Sequence, residues 1–98
     1  MEEYNNQGYK LLIQALISLE NEKECAAFLE DLMTKKEMAD IAQRLLVVKL
    51  LSEQAVYNKI VEETGASTAT ISRVNRSLNY GNDGYDMVFE RMSKKDEV

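Results

Sequence analysis

The chain has no histidine and no proline, one cysteine and only four glycines in 98 residues. Each scarcity removes a class of protein. Without histidine, and with a single thiol, neither a zinc site nor a Ser/His/Asp or Cys/His catalytic set can be assembled. The remaining carboxylates are scattered at helical spacings and read as solvated faces, so neither a metal or other cofactor nor enzymatic chemistry is expected. Cys25 has no second cysteine to pair with, which agrees with a reducing compartment. Its neighbours Ala26, Ala27 and Phe28 suggest a small core residue rather than a reactive thiol. The longest apolar stretch, LLVVKLL, is far too short to span a bilayer. The opening MEEYNNQ is acidic and polar, unlike a secretory or transit signal. A cytoplasmic protein with no membrane partner is the expectation.

Lack of proline and glycine also leaves little to interrupt helices, and the apolar spacing is helical throughout. The fold class expected is all-α, in a single domain over 1–98. A first helix from about Tyr4 to Leu19 carries a broad stripe of Leu12, Ala15, Leu16 and Leu19, widened by Ile13 and Ile17. A second, from about Glu22 to Met33, turns Phe28, Leu29 and Leu32 inward. Thr34 and Glu37 have the spacing of a capping box and start a third helix that runs to about Leu51. From Leu45 to Leu51 only Lys49 is not apolar, so this segment should be buried on most sides. A chain this short has difficulty surrounding such a helix alone, and a homodimer is inferred with residues 1–52 as its dimerisation helices. Ser52 and Glu53 break the pattern. Asn79-Tyr80-Gly81-Asn82 reads as a turn, Asp83 as the cap of a last helix (83–94) bearing Tyr85, Val88, Phe89 and Met92 as core, and Ser93 to Val98 as a fraying end.

Between these lies the most informative segment, within 54–79. A helix from about Gln54 to Glu63, closed onto the core by Ile60 and Val61, meets a tight turn at Gly65, and Ser67 can cap a second helix. At about 100° per residue, Ile71, Val74 and Leu78 of that helix fall within roughly 60°. Thr68, Ala69, Ser72, Arg73 and Arg76 occupy an arc of roughly 140° on the other side. One face is apolar, and the other is small, hydroxylated and basic. That division suits a helix lying in a major groove, where hydroxyls and arginines reach bases or phosphates and bulk would hold it away.

A net charge of −5 opposes DNA binding, but its distribution answers part of the objection. From Thr64 to Asn82 there are two arginines and no acid, whereas acids concentrate in Glu20–Asp40, Glu62–Glu63 and the C-terminal tail. A locally basic face on an acidic protein implies fewer phosphate contacts and a gentler salt dependence.

The segment Thr64 to Leu78, with Gly65-Ala66, Ala69-Thr70-Ile71-Ser72-Arg73 and Ser77-Leu78, resembles the turn and recognition helix of the Trp repressor family, in particular its YerC/YecD-type branch. Support extends back through Thr34, Glu37 and the helix containing Arg44, and the order of six helices is similar. The resemblance implies a six-helix, intertwined homodimer that presents two recognition helices to successive major grooves of a double-stranded DNA operator. It also implies a ligand pocket. Arg44 and Arg73 match the two arginines that sandwich the indole of tryptophan in that family, and Thr34 and Ser77 match residues that help hold the amino-acid backbone. At Val74 the sequence departs, because tryptophan-binding members have a glycine there. Two added methyl groups would project into the cavity, so the pocket reads as altered or vestigial, with Val74 as an apolar anchor in line with Ile71 and Leu78. The expectation is a sequence-specific DNA-binding transcriptional regulator, a repressor by resemblance, without tryptophan as corepressor. Thr68, Ala69 and Ser72 would face bases, and Arg73 and Arg76 bases or backbone. A regulator gated by another small effector, and a helical protein–protein interaction module that binds no DNA, are the rival readings.

Overall fold

The computed structural model describes residues 6–81 and 83–96, and among them every regular element is a helix. These are α1 (Gln7–Ser18), α2 (Glu22–Leu32), α3 (Lys35–Ser52), α4 (Tyr57–Thr64), α5 (Thr68–Tyr80) and α6 (Gly84–Asp96). The described chain divides after Met38 into two compact units.

In the N-terminal unit the helix starts are set by short polar side chains, which satisfy amides that a helix cannot serve itself. Asn6 Oδ1 accepts from the Tyr9 amide at 2.7 Å, and Asn21 Oδ1 from the Glu24 amide at 2.9 Å. Before α3 the capping box closes in both directions. Thr34 Oγ1 accepts from the Glu37 amide at 3.1 Å, and Glu37 Oε1 from the Thr34 amide at 2.9 Å. The Thr34 amide and hydroxyl together hold the exposed Glu37 carboxyl below its ordinary pKa of 4.5. Good caps do not make a core. Neither α1 nor α2 buries a single residue, and Ile17 and Leu11 are 77% and 65% exposed.

In the C-terminal unit Val47, Val48 and Leu50 of α3 meet Ile60 of α4, Ala66 of the turn, and Ile71 and Val74 of α5 in one buried cluster. Leu51, Tyr57, Val61, Leu78, Tyr85 and Phe89 pack around it, half-buried. Lys49 leaves the cluster with its ammonium 5.5 Å from the Phe89 ring centroid and 3.4 Å from Glu53.

Within the single chain the α3 segment Leu45–Leu51 is buried along one face: Leu45 and Leu46 stay 44% and 43% exposed, because α4 and α5 cover the side that carries Val47, Val48 and Leu50. Other expectations need correction. The helix expected from Gln54 begins at Tyr57. Gln54 instead adopts a left-handed conformation (φ 62°), and its amide bonds to the Leu51 carbonyl while that of Ala55 bonds to Leu50. These two bonds satisfy the last carbonyls of α3 in the manner glycine usually serves. Asn79 and Tyr80 belong to α5, with Gly81 as its C-cap. A Cβ on Gly81 would stand 2.6 Å from the Ser77 carbonyl oxygen, so close approach requires a glycine there. Asp83 precedes α6 with φ 63° and serves that helix through its carbonyl, which accepts from Met87. The last helix continues through Ser93 to Asp96, supported by a Lys94–Glu90 ion pair at 3.1 Å. Val88 and Met92, expected in the core, are 44% and 50% exposed, and Leu32 is 49% exposed. Cys25, Phe28 and Leu29 are only half-buried, since α2 has no fully covered face. Tyr4 and Val98 lie outside the described residues.

Candidate nucleic-acid interface and the cleft behind it

Local chemistry fixes the geometry of the turn between α4 and α5. Gly65 closes α4 with φ 73° and ψ 3°, its amide bonding to the Val61 carbonyl at 2.9 Å. An added Cβ would touch nothing within 4 Å, so the requirement for glycine is torsional rather than steric. Thr64 Oγ1 donates to the Ile60 carbonyl at 2.7 Å and accepts from the Ala66 amide at 3.1 Å. Ser67 is the N-cap of α5, accepting from the Thr70 amide at 3.1 Å, and its hydroxyl donates to Thr70 Oγ1 at 3.0 Å. Two side-chain contacts reach further. Gln43 Nε2 of α3 donates to the Thr64 carbonyl at 3.0 Å, and Asn75 Nδ2 of α5 donates to the Tyr57 hydroxyl of α4 at 3.4 Å.

Held in this way, α5 buries Ile71 completely and Val74 to 5% exposure, with Leu78 half-buried. Thr68, Ala69, Ser72, Arg73 and Arg76 are all exposed. Neither Arg73 nor Arg76 takes part in the ion pairs Lys49–Glu53, Lys59–Glu63 and Lys94–Glu90. The two guanidinium groups are therefore open to an external anion.

Behind this face, α3, α5 and α6 enclose a cleft of about 470 Å³ lined by Asp40, Gln43, Arg44, Thr70, Arg73, Val74, Ser77 and Tyr85. Four of the five residues expected in a ligand pocket, Arg44, Arg73, Val74 and Ser77, meet there. Thr34 belongs to the N-terminal unit, where it caps α3. Val74 belongs both to the buried cluster and to the wall of this cleft. Sequence reasoning missed Asp40, Gln43, Thr70 and Tyr85. Asp40 stands one turn before Arg44, and that spacing was a usable signal. Nothing in the sequence marked Gln43.

A chain whose described residues form helices alone, and whose glycine turn joins two short helices, the second basic outside and apolar inside, defines a helix-turn-helix protein. A model of the family described as Trp repressor protein matches residues 7–93. The uncharacterized protein YerC of Bacillus subtilis (strain 168) is 51% identical over 83 residues, 85% of this chain and 80% of that one. A TrpR-like protein from Eubacterium eligens superposes with a TM-score of 0.90 at 52% identity, covering 95% of this chain and 96% of the other. A Trp repressor candidate from Staphylococcus aureus gives 0.88 at 44% identity, covering 94% and 92%. The chain belongs to the Trp repressor family, a family of DNA-binding transcription regulators.

Proposed function

We propose that this protein is a homodimeric, sequence-specific DNA-binding regulator that represses by occupying an operator, and that it does so in the cytoplasm without tryptophan as corepressor. The observation that carries the reading is the exposed arc of α5. Thr68, Ala69 and Ser72 offer small or hydroxylated surface to base edges, and Arg73 and Arg76 stand beside them with no acid from Thr64 to Asn82. Ile71 and Val74, buried on the opposite side, give the helix the anchorage that insertion into a groove demands. The dimer is supported by apolar surface that the chain does not cover: Leu11, Leu12, Ile13, Leu16 and Ile17 on α1, and Leu45 and Leu46 on α3. Two heads related by a dyad would read half-sites about 34 Å apart. Val74 supports the exclusion of tryptophan, because a branched side chain fills the slot where the indole would lie.

Selection of random-sequence duplexes at two salt concentrations tests this reading. Enrichment of a site with dyad symmetry is expected, with affinity falling as salt rises. Protein that enriches no motif even at low salt would turn the reading toward a protein–protein interaction module. One observation favours a second reading, in which another small effector gates the protein. The cleft beside Val74 is still about 470 Å³, with Arg44, Arg73, Thr70 and Ser77 on its walls. A selected operator bound equally well by purified protein and by protein in small-molecule extract would count against it.

A further inference from the structure

We propose that Gln43 is the positioning residue of the reading head: its side-chain amide ties the end of α4 to α3 and so fixes how α5 is presented to DNA. The proposal rests on the DNA-binding reading above for its consequence, though not for its geometry.

The turn accounts for most of its own polar groups. Val61 O is taken by the Gly65 amide, Ile60 O by the Thr64 hydroxyl, the Ala66 amide by the same hydroxyl, and the Thr70 amide by Ser67. The Thr64 carbonyl is one of the last of α4, which no later amide of that helix can reach. It is served by Gln43 Nε2 at 3.0 Å, from 21 positions earlier in the chain and in part-buried surroundings. A carbonyl can only accept, so the amide nitrogen must face it and the orientation of the Gln43 side chain is chemically determined.

The buried contact between α3 and the head is apolar, through Val47, Val48, Leu50, Ile60, Ala66, Ile71 and Val74. Apolar contact is non-directional. It resists separation of the head from α3 more than it resists a small rotation, whereas a hydrogen bond at the turn sets register. A reader whose side chains must meet base edges within a few tenths of an ångström needs that register. Gln43 also lines the cleft with Arg44 and Arg73, which places the tie beside the recognition-helix arginine.

The test uses the full chain, with three variants and the duplex selected by the wild type. Gln43→Met keeps length and removes the donor. Gln43→Asn keeps the amide but is one methylene short. Gln43→Glu replaces the donor by a carboxylate, which can donate only when protonated. The titratable groups near it are Asp40 and Arg44 on its own helix, Arg73 from α5 and Tyr85 from α6. All are shared with the wild type, so the variant-to-wild-type ratio at each pH isolates position 43. Two readouts are followed: duplex affinity, and amide hydrogen exchange across Gly65 to Thr68 against that of Val47 and Val48.

Gln43→Met and Gln43→Asn should each bind about tenfold more weakly, the order expected for one part-buried hydrogen bond. Exchange should quicken at the turn while Val47 and Val48 stay protected. The Gln43→Glu affinity ratio should recover as pH falls from 7 toward 4, through the ordinary carboxyl range of about 4.3, since the protonated acid restores the donor. Affinity lost only in proportion to a uniform rise in exchange across the unit would overturn the proposal, and so would a flat pH ratio. Quickened exchange confined to the turn, in a protein whose wild type selects no duplex, would uphold the tie and sink the DNA-binding reading instead.

Discussion

The two units of the chain solve the same problem with opposite means. Residues 6–38 are well capped and poorly covered: Asn6, Asn21 and the Thr34–Glu37 box finish the helix starts, yet α1 and α2 bury no residue fully. Among the described residues of 39–96 seven side chains form a buried apolar cluster, and α4 has no side-chain cap at Val56. Capping settles where a helix begins, at about 1 kcal/mol for each cap. It cannot offset the entropy of ordering a 12-residue helix whose leucines and isoleucines face water. The N-terminal unit is therefore the half that leaves apolar surface uncovered within the single chain, and the C-terminal unit is the half that buries a core of its own.

The largest effect should come from attacking the uncovered half. Leu16→Asp places a charge in the middle of the α1 stripe, where Leu16 is 40% exposed in the single chain. If that stripe is the dimer seam, sedimentation equilibrium should show wild type near twice 11.2 kDa and the variant near 11.2 kDa, with helical signal lost. A wild type that is itself a compact monomer would remove the basis of the comparison.

Next in size is the covered half. Ile60 is fully buried, so Ile60→Ala should cost about 2–5 kcal/mol by lost transfer energy and a residual cavity. Denaturant titration of wild type and variant at equal concentration measures it. A loss below 1 kcal/mol would mean that the cluster around Ile60 is not the centre of stability.

Val74 tests whether the core also limits what the cleft between α3, α5 and α6 can hold. Forcing a branched side chain into a close-packed slot costs about 1–3 kcal/mol, or about ten- to a hundredfold in affinity. Calorimetry with L-tryptophan should therefore show no binding to the wild type at physiological concentration. Any gain should appear in Val74→Gly. Tight binding by the wild type would reverse the corepressor argument.

These residues also show what a sequence discloses. Ser67, Gly65 and the Thr34–Glu37 pair were legible because a hydroxyl, a missing Cβ and a three-residue spacing act within a few positions of themselves. The two faces of α5 were legible because one angle per residue generates them. Gln54 was not: it fills a left-handed position where glycine is the usual marker, so the start of α4 was placed three residues early. The exposure of Leu45 and Leu46 was illegible for a different reason. Apolar character says that a face seeks cover, and it does not say which chain supplies it. Gln43 escaped notice because its partner is a backbone carbonyl, which has no signature in sequence.

Smaller effects are expected at the reading surface. Arg76 is exposed and unpaired with any described carboxylate, so Arg76→Ala should weaken binding to all duplexes alike. If the guanidinium meets one phosphate, the slope of log affinity against log salt should become shallower by about 0.9. An unchanged slope with altered preference at one base pair would reassign Arg76 from backbone to base.

The smallest effect belongs to the cap that starts α3, and pH brings it out. The Thr34 amide and hydroxyl bond to the ionised Glu37 and lower its pKa in the folded protein below 4.5, whereas the unfolded chain keeps the ordinary value. A depressed folded pKa means that the native state binds fewer protons. The stabilisation is complete above the unfolded value and is lost as pH falls through the folded one. Glu37→Gln keeps an acceptor for the Thr34 amide but carries no titrating charge. The wild type should therefore melt slightly higher than this variant near neutral pH, with the difference shrinking once pH drops below 4.5. Thermal melts of both proteins from pH 7 to pH 3 read that convergence. Curves that stay parallel across the range would show that the Thr34–Glu37 cap stabilises through its acceptor geometry alone, with the carboxylate charge contributing nothing.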